Sequence, residues 1–418
     1  MPSIQKLTAR QILDSRGNPT IEVSAWVDGD HYRASVPSGA STGVHEAKEL
    51  RDGGRAFGGL GVQKAIRSVS ILSRHLQGMD VCEQEDIDSA MIELDGTSDK
   101  SRLGANAILG ASLAVCRAAA GRHDISLYRY IGSLSKNTTL QLPVPFMNII
   151  NGGKHAGNGL AVQEFMIAPV GVRRFSDGLR MGSEIYHALK SILIKKYGRG
   201  AVNVGDEGGF APPLSKTREA LDLIEKAIAS CGYQRQVKIA IDAASSEFFD
   251  GRTYHLDGRR LSDRHLLDYW EQLSKDYALV SLEDPFHQED FLGFAHLTQH
   301  VGKRTQIVGD DLLVTNLQRL RLGLHYNSCT ALLLKPNQIG TVSESLGAAE
   351  LAQMYDWKVM VSHRSGETTD DFIADLAVGL GTGQIKAGAP CRGERVAKYN
   401  RLLAIEEDLG SKARYGLR

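Results

Sequence analysis

Eight short apolar runs punctuate the chain between residues 144 and 386: VPFMNII (144–150), VQEFMIA (162–168), VKIAI (237–241), ALVSL (278–282), TQIV (305–308), TALLL (330–334), KVMV (358–361) and TGQIK (382–386). An apolar run of this length is a strand buried on both faces, and strands alternating with amphipathic helices are the pattern of a parallel sheet. Helical stretches separate most of the runs. In residues 215–231, for example, Leu221, Ile224 and Ile228 share one face and Gly232 follows at the C-cap. Eight such units predict an α/β fold, a TIM-type (β/α)8 barrel with a variant ββαα start.

The region before these runs reads differently. Residues 20–27 (TIEVSAWV) place Ile21, Val23, Ala25 and Val27 on one face, Asp28-Gly29 supplies a turn, and HYRASV returns, which predicts a hairpin. Apolar residues recur at helical spacing over 62–76 and 104–120, where ANAILGASLAVCRAAAG ends at Gly121, the expected left-handed cap. Residues 132–143 (GSLSKNTTLQLP) lose the periodicity, as a linker does. The expected organisation is therefore a smaller α+β domain over 1–135 and a barrel domain over 136–418.

Composition narrows the function. The 49 basic and 49 acidic residues cancel, so no bulk field draws the protein to nucleic acid or an anionic membrane. Apolar residues at 42% and charged residues at 23% are those of a folded globular protein. Five cysteines, the closest pair 34 residues apart, spell no zinc or disulfide framework. With no apolar leader and no uninterrupted apolar run near 18 residues, the expected location is the reducing cytoplasm, without membrane insertion.

Chemistry enters at the strand ends. Asp242 ends VKIAID, Glu283 ends VSLE, Asp310 follows IVG, Lys335 ends ALLLK, His363 ends VMVSH and Lys386 ends QIK, at spacings of 41, 27, 25, 28 and 23 residues. Those are the lengths of βα units. In a barrel, six polar side chains from successive strands converge on the C-terminal face, where such barrels carry their active sites. Two Asp and one Glu without nearby Cys make a hard, all-oxygen site suited to Mg²⁺. The plainer alternative is that the acids pair with Lys335 and Lys386 as buried ion pairs.

Longer strings carry a resemblance. SGASTG (38–43), GGKHAGN (152–158), QEF (163–165), GDEGG (205–209), SLEDPF (281–286), LLKPNQIG (333–340) and SHRSGETTDDFIADLAVG (362–379), with DSRGNPT (14–20) and GAPCRGERVAKYN (388–400), are similar to the enolase family over nearly the whole chain. That resemblance implies Mg²⁺-dependent dehydration of 2-phosphoglycerate to phosphoenolpyruvate with two Mg²⁺ per site. It implies that Asp242, Glu283 and Asp310 bind the first ion and Ser41, on a mobile loop, the second. It makes Lys335 the base at C2, Glu207 assisted by Glu164 the group that helps the C3 hydroxyl leave, and His155 and Gln163 substrate contacts near it. His363 and Lys386 hold the carboxylate end, Arg364 with Ser365 grips the phosphate, and Glu283 and Asp310 face the substrate as well. A homodimer, or a larger assembly of dimers, is implied too, as is a cell-surface or secreted fraction beside the cytoplasmic one.

The chemistry asks for such a set. Removing a proton beside a carboxylate takes a substrate of roughly −3 to roughly −4, which two divalent cations match. Those cations, with Lys386 nearby, are expected to disfavour the protonated form of Lys335, and repulsion from Glu164 is expected to keep Glu207 protonated. Gly39 and Gly43 flank Ser41 and give its loop room to move. Gly39-Ala40-Ser41-Thr42-Gly43 also fits the Gly-x-Ser-x-Gly form of a serine hydrolase, but it follows a small hairpin rather than a doubly wound sheet. A sugar-acid dehydratase or racemase of the wider superfamily lacks the Arg364-Ser365 phosphate grip, and a non-catalytic binding protein has no need for every catalytic residue type to be in place. Pro336 is expected to hold Lys335 in an extended backbone.

Overall fold

The computed structural model describes residues 2–40 and 42–417. The chain starts with an antiparallel sheet of β1 (Lys6–Leu13), β2 (Pro19–Val27) and β3 (Asp30–Ser35). Asp28 (φ 50°) and Gly29 (φ 88°) form the expected two-residue turn, both in the positive-φ region that such hairpins require. Ile21, Val23, Ala25 and Val27 are buried on one face. β1, whose residues are mostly exposed or half-buried, is an edge strand that the apolar pattern does not announce.

Helices α1 (Gln63–Leu76), α2 (Gln84–Asp95), α3 (Ala105–Arg122) and α4 (Leu127–Leu134) complete this region. α3 lies on the sheet through small residues: a Cβ on Gly110 would stand 2.5 Å from Val23 Cγ2. Gly121 is not the expected left-handed cap. The helix runs on to Arg122 and is capped by His123 (φ −82°), and a Cβ on Gly121 would lie 2.3 Å from Tyr32 Cε1, so this glycine serves close packing.

The second region closes a barrel in chain order: β4 (Val144–Asn151), β5 (Glu164–Ala168), β6 (Lys238–Asp242), β9 (Ser281–Glu283), β10 (Gln306–Gly309), β11 (Ala331–Leu334), β12 (Lys358–Ser362) and β13 (Gln384–Lys386), which pairs back on β4. β5 runs antiparallel to both neighbours, and α5 (Phe175–Tyr197) and α6 (Thr217–Ser230) come before β6, which is the ββαα start. A two-stranded ribbon, β7 (Tyr254–Leu256) and β8 (Arg259–Leu261), precedes α7 (Asp263–Asp276). The outer ring continues with α8 (Phe291–Val301), α9 (Leu317–Tyr326), α10 (Pro336–Ile339), α11 (Val342–Met354), α12 (Phe372–Gly379) and α13 (Gly393–Leu409).

Period-2 alternation sets what fills the barrel. Val144, Phe146, Met166, Ala168, Ala240, Val308, Ala331, Leu333 and Met360 form one apolar cluster, separate from the larger core between strands and helices. Two residues further toward the mouth, the same faces carry Asn148, Glu164, Asp242, Asp310 and Lys335. At the opposite end Gln306 and Gln384 exchange two amide hydrogen bonds of 2.9 Å. The two regions are joined firmly: Arg117 of α3 donates to both carboxylate oxygens of half-buried Asp370, at 2.6 and 2.9 Å.

Candidate active site

The mouth is built by strand ends. Asp242 pairs in register with Glu283 across β6 and β9, and Glu164 with Asp242 across β5 and β6. Glu164 opens its strand rather than ending it, because β5 is reversed and presents its first residue to the C-terminal face. Lys335 follows β11 with φ −124° and ψ 105°, the extended form expected ahead of Pro336, which starts α10.

Lys386 is the hub. Its Nζ lies 3.0 Å from Asp242 Oδ2, 2.9 Å from Glu283 Oε1 and 3.0 Å from Glu164 Oε1, one carboxylate for each hydrogen of the ammonium. Lys335 Nζ meets Asp310 Oδ2 at 2.5 Å, while Gln338 Nε2 donates to Asp310 Oδ1 at 2.8 Å. Gln163 Nε2 donates to Asp242 Oδ2 at 3.3 Å, and Asn148 Nδ2 to Glu207 Oε2 at 2.9 Å. His155 Nδ1 is 3.5 Å from Glu207 Oε1 and 3.9 Å from Glu164 Oε1, and His363 Nε2 is 3.6 Å from Glu207 Oε1. Arg364 reaches buried Glu46 at 2.9 and 3.1 Å and Asn337 Oδ1 at 3.0 Å. Ser365 Oγ accepts from Ala40 N at 2.6 Å.

One cavity is lined by His155, Gln163, Glu164, Glu207, Asp242, Lys335, His363, Arg364, Ser365 and Lys386. Glu283 and Asp310 stand one hydrogen bond behind it, on Lys386 and Lys335. Ser41 lies outside the described residues. Gly208, next to Glu207, has φ +85°, and a Cβ there would lie 2.7 Å from Cys391 O, so the GDEGG turn is packed tightly under the site. Among the described residues after β3 no helix occurs before a short helical turn at 56–59 and α1, whereas a nucleophile elbow runs from strand directly into helix.

The Asp242–Glu283–Asp310 trio does not converge on one point in this structure. The acids are shared between two ammonium groups, as the ion-pair alternative anticipates. The acidic groups close enough to share one ion, among the described residues, are Asp284–Asp310–Asp311 and His155–Glu164–Glu207. The ion pairs nonetheless leave the site short of positive charge. Glu283 is pushed well above the ordinary carboxylate range by burial first and by Asp242 second, and its Oε2 has no hydrogen-bond partner. Glu164 Oε2 is buried and unpartnered as well. Four carboxylates, Glu164, Asp242, Glu283 and Asp310, share the two lysines while Glu207 stands beside His155, and this all-oxygen surplus fits divalent Mg²⁺.

The charges of the chain itself push the acid–base groups in definite directions. Burial and Arg364 and Lys386 press Lys335 toward the neutral amine, but Asp310 outweighs them and its pKa is raised. The shared proton of the Glu164/Glu207 pair was expected on Glu207. Burial raises both carboxyls; Glu164 is pushed well above the usual range by burial and by the charge of Glu207, while the permanent cations Arg395 and Lys386 draw Glu207 the other way. Of the two, Glu164 is the one drawn toward its protonated form.

Sequence reasoning missed several residues around the site. Asn148 was legible, because it lies in phase with Phe146 on β4. Asn337 and Gln338 follow the lysine inside LLKPNQIG. Glu46 and Arg395 carry no local signal.

The comparisons with known proteins agree with this geometry. Residues 139–418 match the family model described as "Enolase, C-terminal TIM barrel domain", and residues 4–131 match "Enolase, N-terminal domain". A relative named Enolase from Methanocaldococcus jannaschii is 56% identical over 409 residues, 97% of this chain and 96% of that one. Another named Enolase, from Methanopyrus kandleri, is 55% identical over 424 residues, covering 100% of this chain and 99% of its own.

Proposed function

We propose residue roles for a chain that belongs to the enolase family and is therefore a hydro-lyase, phosphopyruvate hydratase, converting 2-phosphoglycerate reversibly to phosphoenolpyruvate in glycolysis. Family membership makes the enzyme metal-dependent. Mg²⁺ as that metal, at two ions per site, is our reading of the hard donor set Asp242, Glu283 and Asp310, with Ser41 for the second ion. Bound there, the ions supply Lewis-acid stabilisation of the charge that develops on the substrate carboxylate.

The chain's own residues do the rest. Lys335 Nζ takes the C2 proton: burial, Arg364 and Lys386 favour the amine there, while Asp310 above all, and Glu283 behind it, favour the ammonium. The Glu164/Glu207 pair supplies a proton to the departing C3 hydroxyl, with His155 and Gln163 beside it. Lys386 and His363 hold the carboxylate end, and Arg364 with Ser365 grips the phosphate. Residues 136–418 carry this chemistry, and residues 1–135 cover it and brace Arg364 through Glu46. A cytoplasmic homodimer, or a larger assembly of dimers, completes the proposal. Among the described residues no helix is long and apolar enough to cross a membrane.

The observation that carries the reading is the gathering of buried, partnerless polar atoms, Gln163 Oε1, Glu164 Oε2, His155 Nδ1 and His363 Nε2, around one small cavity. The test follows phosphoenolpyruvate absorbance from 2-phosphoglycerate with and without Mg²⁺, paired with Lys335→Ala. Wild type converts substrate only with the metal, and the variant binds substrate but loses turnover by several orders of magnitude. Undiminished turnover in Lys335→Ala refutes the base.

A further inference from the structure

Arg395, on the first turn of α13, is fully enclosed, and none of the chemistry above uses it. Its Nη1 donates to His363 Nδ1 and to Arg364 O, each at 2.6 Å, and its Nη2 to Ser365 O at 2.6 Å and Asp206 O at 3.0 Å. Nε lies 3.3 Å from Glu394 Oε1. An arginine offers donors only and keeps its charge at any pH that a protein survives. The ring nitrogen it meets must therefore be an acceptor. Burial also disfavours the doubly protonated ring, and Arg395 adds to that effect while Glu207 opposes it. A neutral imidazole that accepts at Nδ1 carries its single hydrogen on Nε2. That atom is 3.6 Å from Glu207 Oε1 and has no hydrogen-bond partner.

We propose that Arg395 is a positioning residue that locks His363 into the Nε2–H tautomer, so that the reacting molecule or Glu207 meets a neutral N–H donor there. The same guanidinium ties down the carbonyls of Arg364 and Ser365, joining the orientation of the imidazole to that of the phosphate-gripping residues. The inference rests on His363 standing at the substrate, but its first test does not involve turnover, so failure of the enolase chemistry and failure of this inference are read separately.

That first test is nitrogen-15 NMR of the histidine rings in the intact enzyme, with His363→Asn identifying the signal. The expected spectrum shows an unprotonated Nδ1 and a protonated Nε2. A proton on Nδ1, or on both nitrogens, overturns the inference. Kinetics then ask which ring position matters. A glutamine amide reaches the place of Nε2 and an asparagine amide that of Nδ1, so His363→Gln retains about tenfold or more kcat/KM over His363→Asn; equal losses, or a better Asn, overturn it. Arg395→Lys keeps the charge but offers one ammonium in place of the fork. It gives mixed tautomers and a kcat/KM lower by about 10- to 100-fold. An unchanged tautomer in that variant assigns Arg395 to packing alone and sinks the proposal. Should Arg395→Lys not fold, the wild-type spectrum decides.

Discussion

Replacing Lys386 with methionine removes the one cation common to three carboxylates while keeping an unbranched side chain in its place. The ammonium lies 3.0 Å from Asp242 Oδ2, 2.9 Å from Glu283 Oε1 and 3.0 Å from Glu164 Oε1, and all four groups are buried. Deleting one partner of a buried ion pair costs about 3–5 kcal/mol, because the remaining charge keeps its desolvation penalty. Over the barrel region, residues 139–418, unfolding entropy at roughly 2.1 cal/mol/K per residue comes to about 0.6 kcal/mol/K, so the melting temperature is expected to fall by about 5–8 °C. The measurement is differential scanning calorimetry in EDTA at pH 8, repeated at pH 5. Glu164 and Glu283 are pushed well above 4.5, by burial first and then by neighbouring carboxylates, and losing Lys386 pushes them further. The folded variant then binds protons that the unfolded chain releases above that value. Its stability therefore rises as the pH falls, and the deficit against wild type narrows at pH 5. No loss at pH 8, or one of equal size at both pH values, refutes the assignment of Lys386 as the counter-charge.

Gln338→Leu leaves Asp310 without the 2.8 Å amide bond that orients it and is expected to weaken Mg²⁺ binding by about 10- to 100-fold, read by titration calorimetry; unchanged affinity places the ion elsewhere. Asp370→Asn, which breaks the bidentate contact with Arg117, costs about 3 kcal/mol in urea unfolding near neutral pH. Although burial raises the carboxyl, Arg117 outweighs it and holds Asp370 below 3.8, so this contribution is present above that value and vanishes as the pH drops through the folded value. A wild-type advantage that does not shrink as the pH falls below 3.8 contradicts the pairing. Gly110→Ala gains up to about 1 kcal/mol of helix propensity but drives a methyl group to 2.5 Å from Val23 Cγ2, an overpacking cost of about 1–3 kcal/mol. The variant is expected to melt lower, and a higher melting temperature shows that β2 yields.

The barrel was legible because strands buried on both faces write themselves as unbroken apolar runs, and all eight runs overlap barrel strands. The catalytic ends were legible for a related reason: Asp242, Asp310 and Lys335 continue the inward phase of Ala240, Val308 and Leu333 beyond the point where the interior stops being dry. Gly121 misled because a glycine ending an alanine-rich helix has the composition of a cap, whereas its position was decided by Tyr32 on a strand far away in the chain. Glu46 and Arg395 could not be found from local pattern. Each is a charged residue on an ordinary polar stretch, and what makes it special is an enclosure made by Arg364 in one case and by residues 206 and 363–365 in the other. The directions in which Lys335 and the Glu164/Glu207 pair are pushed depend on which charges face each group, and that is set by the closed barrel rather than by neighbours in sequence.

The apolar plug under the catalytic floor gives the chamber the plan of a cul-de-sac. Phe146, Met166, Val308, Leu333 and Met360 fill the passage below, and the Gln306–Gln384 amide clasp bars its far end. Among the described residues the way to the catalytic groups is therefore from the C-terminal mouth of the barrel, where Ser365 of the cavity wall accepts a hydrogen bond from Ala40 N. Because both directions of the reversible reaction use the same mouth, a substitution that narrows it is expected to slow the forward and backward fluxes alike.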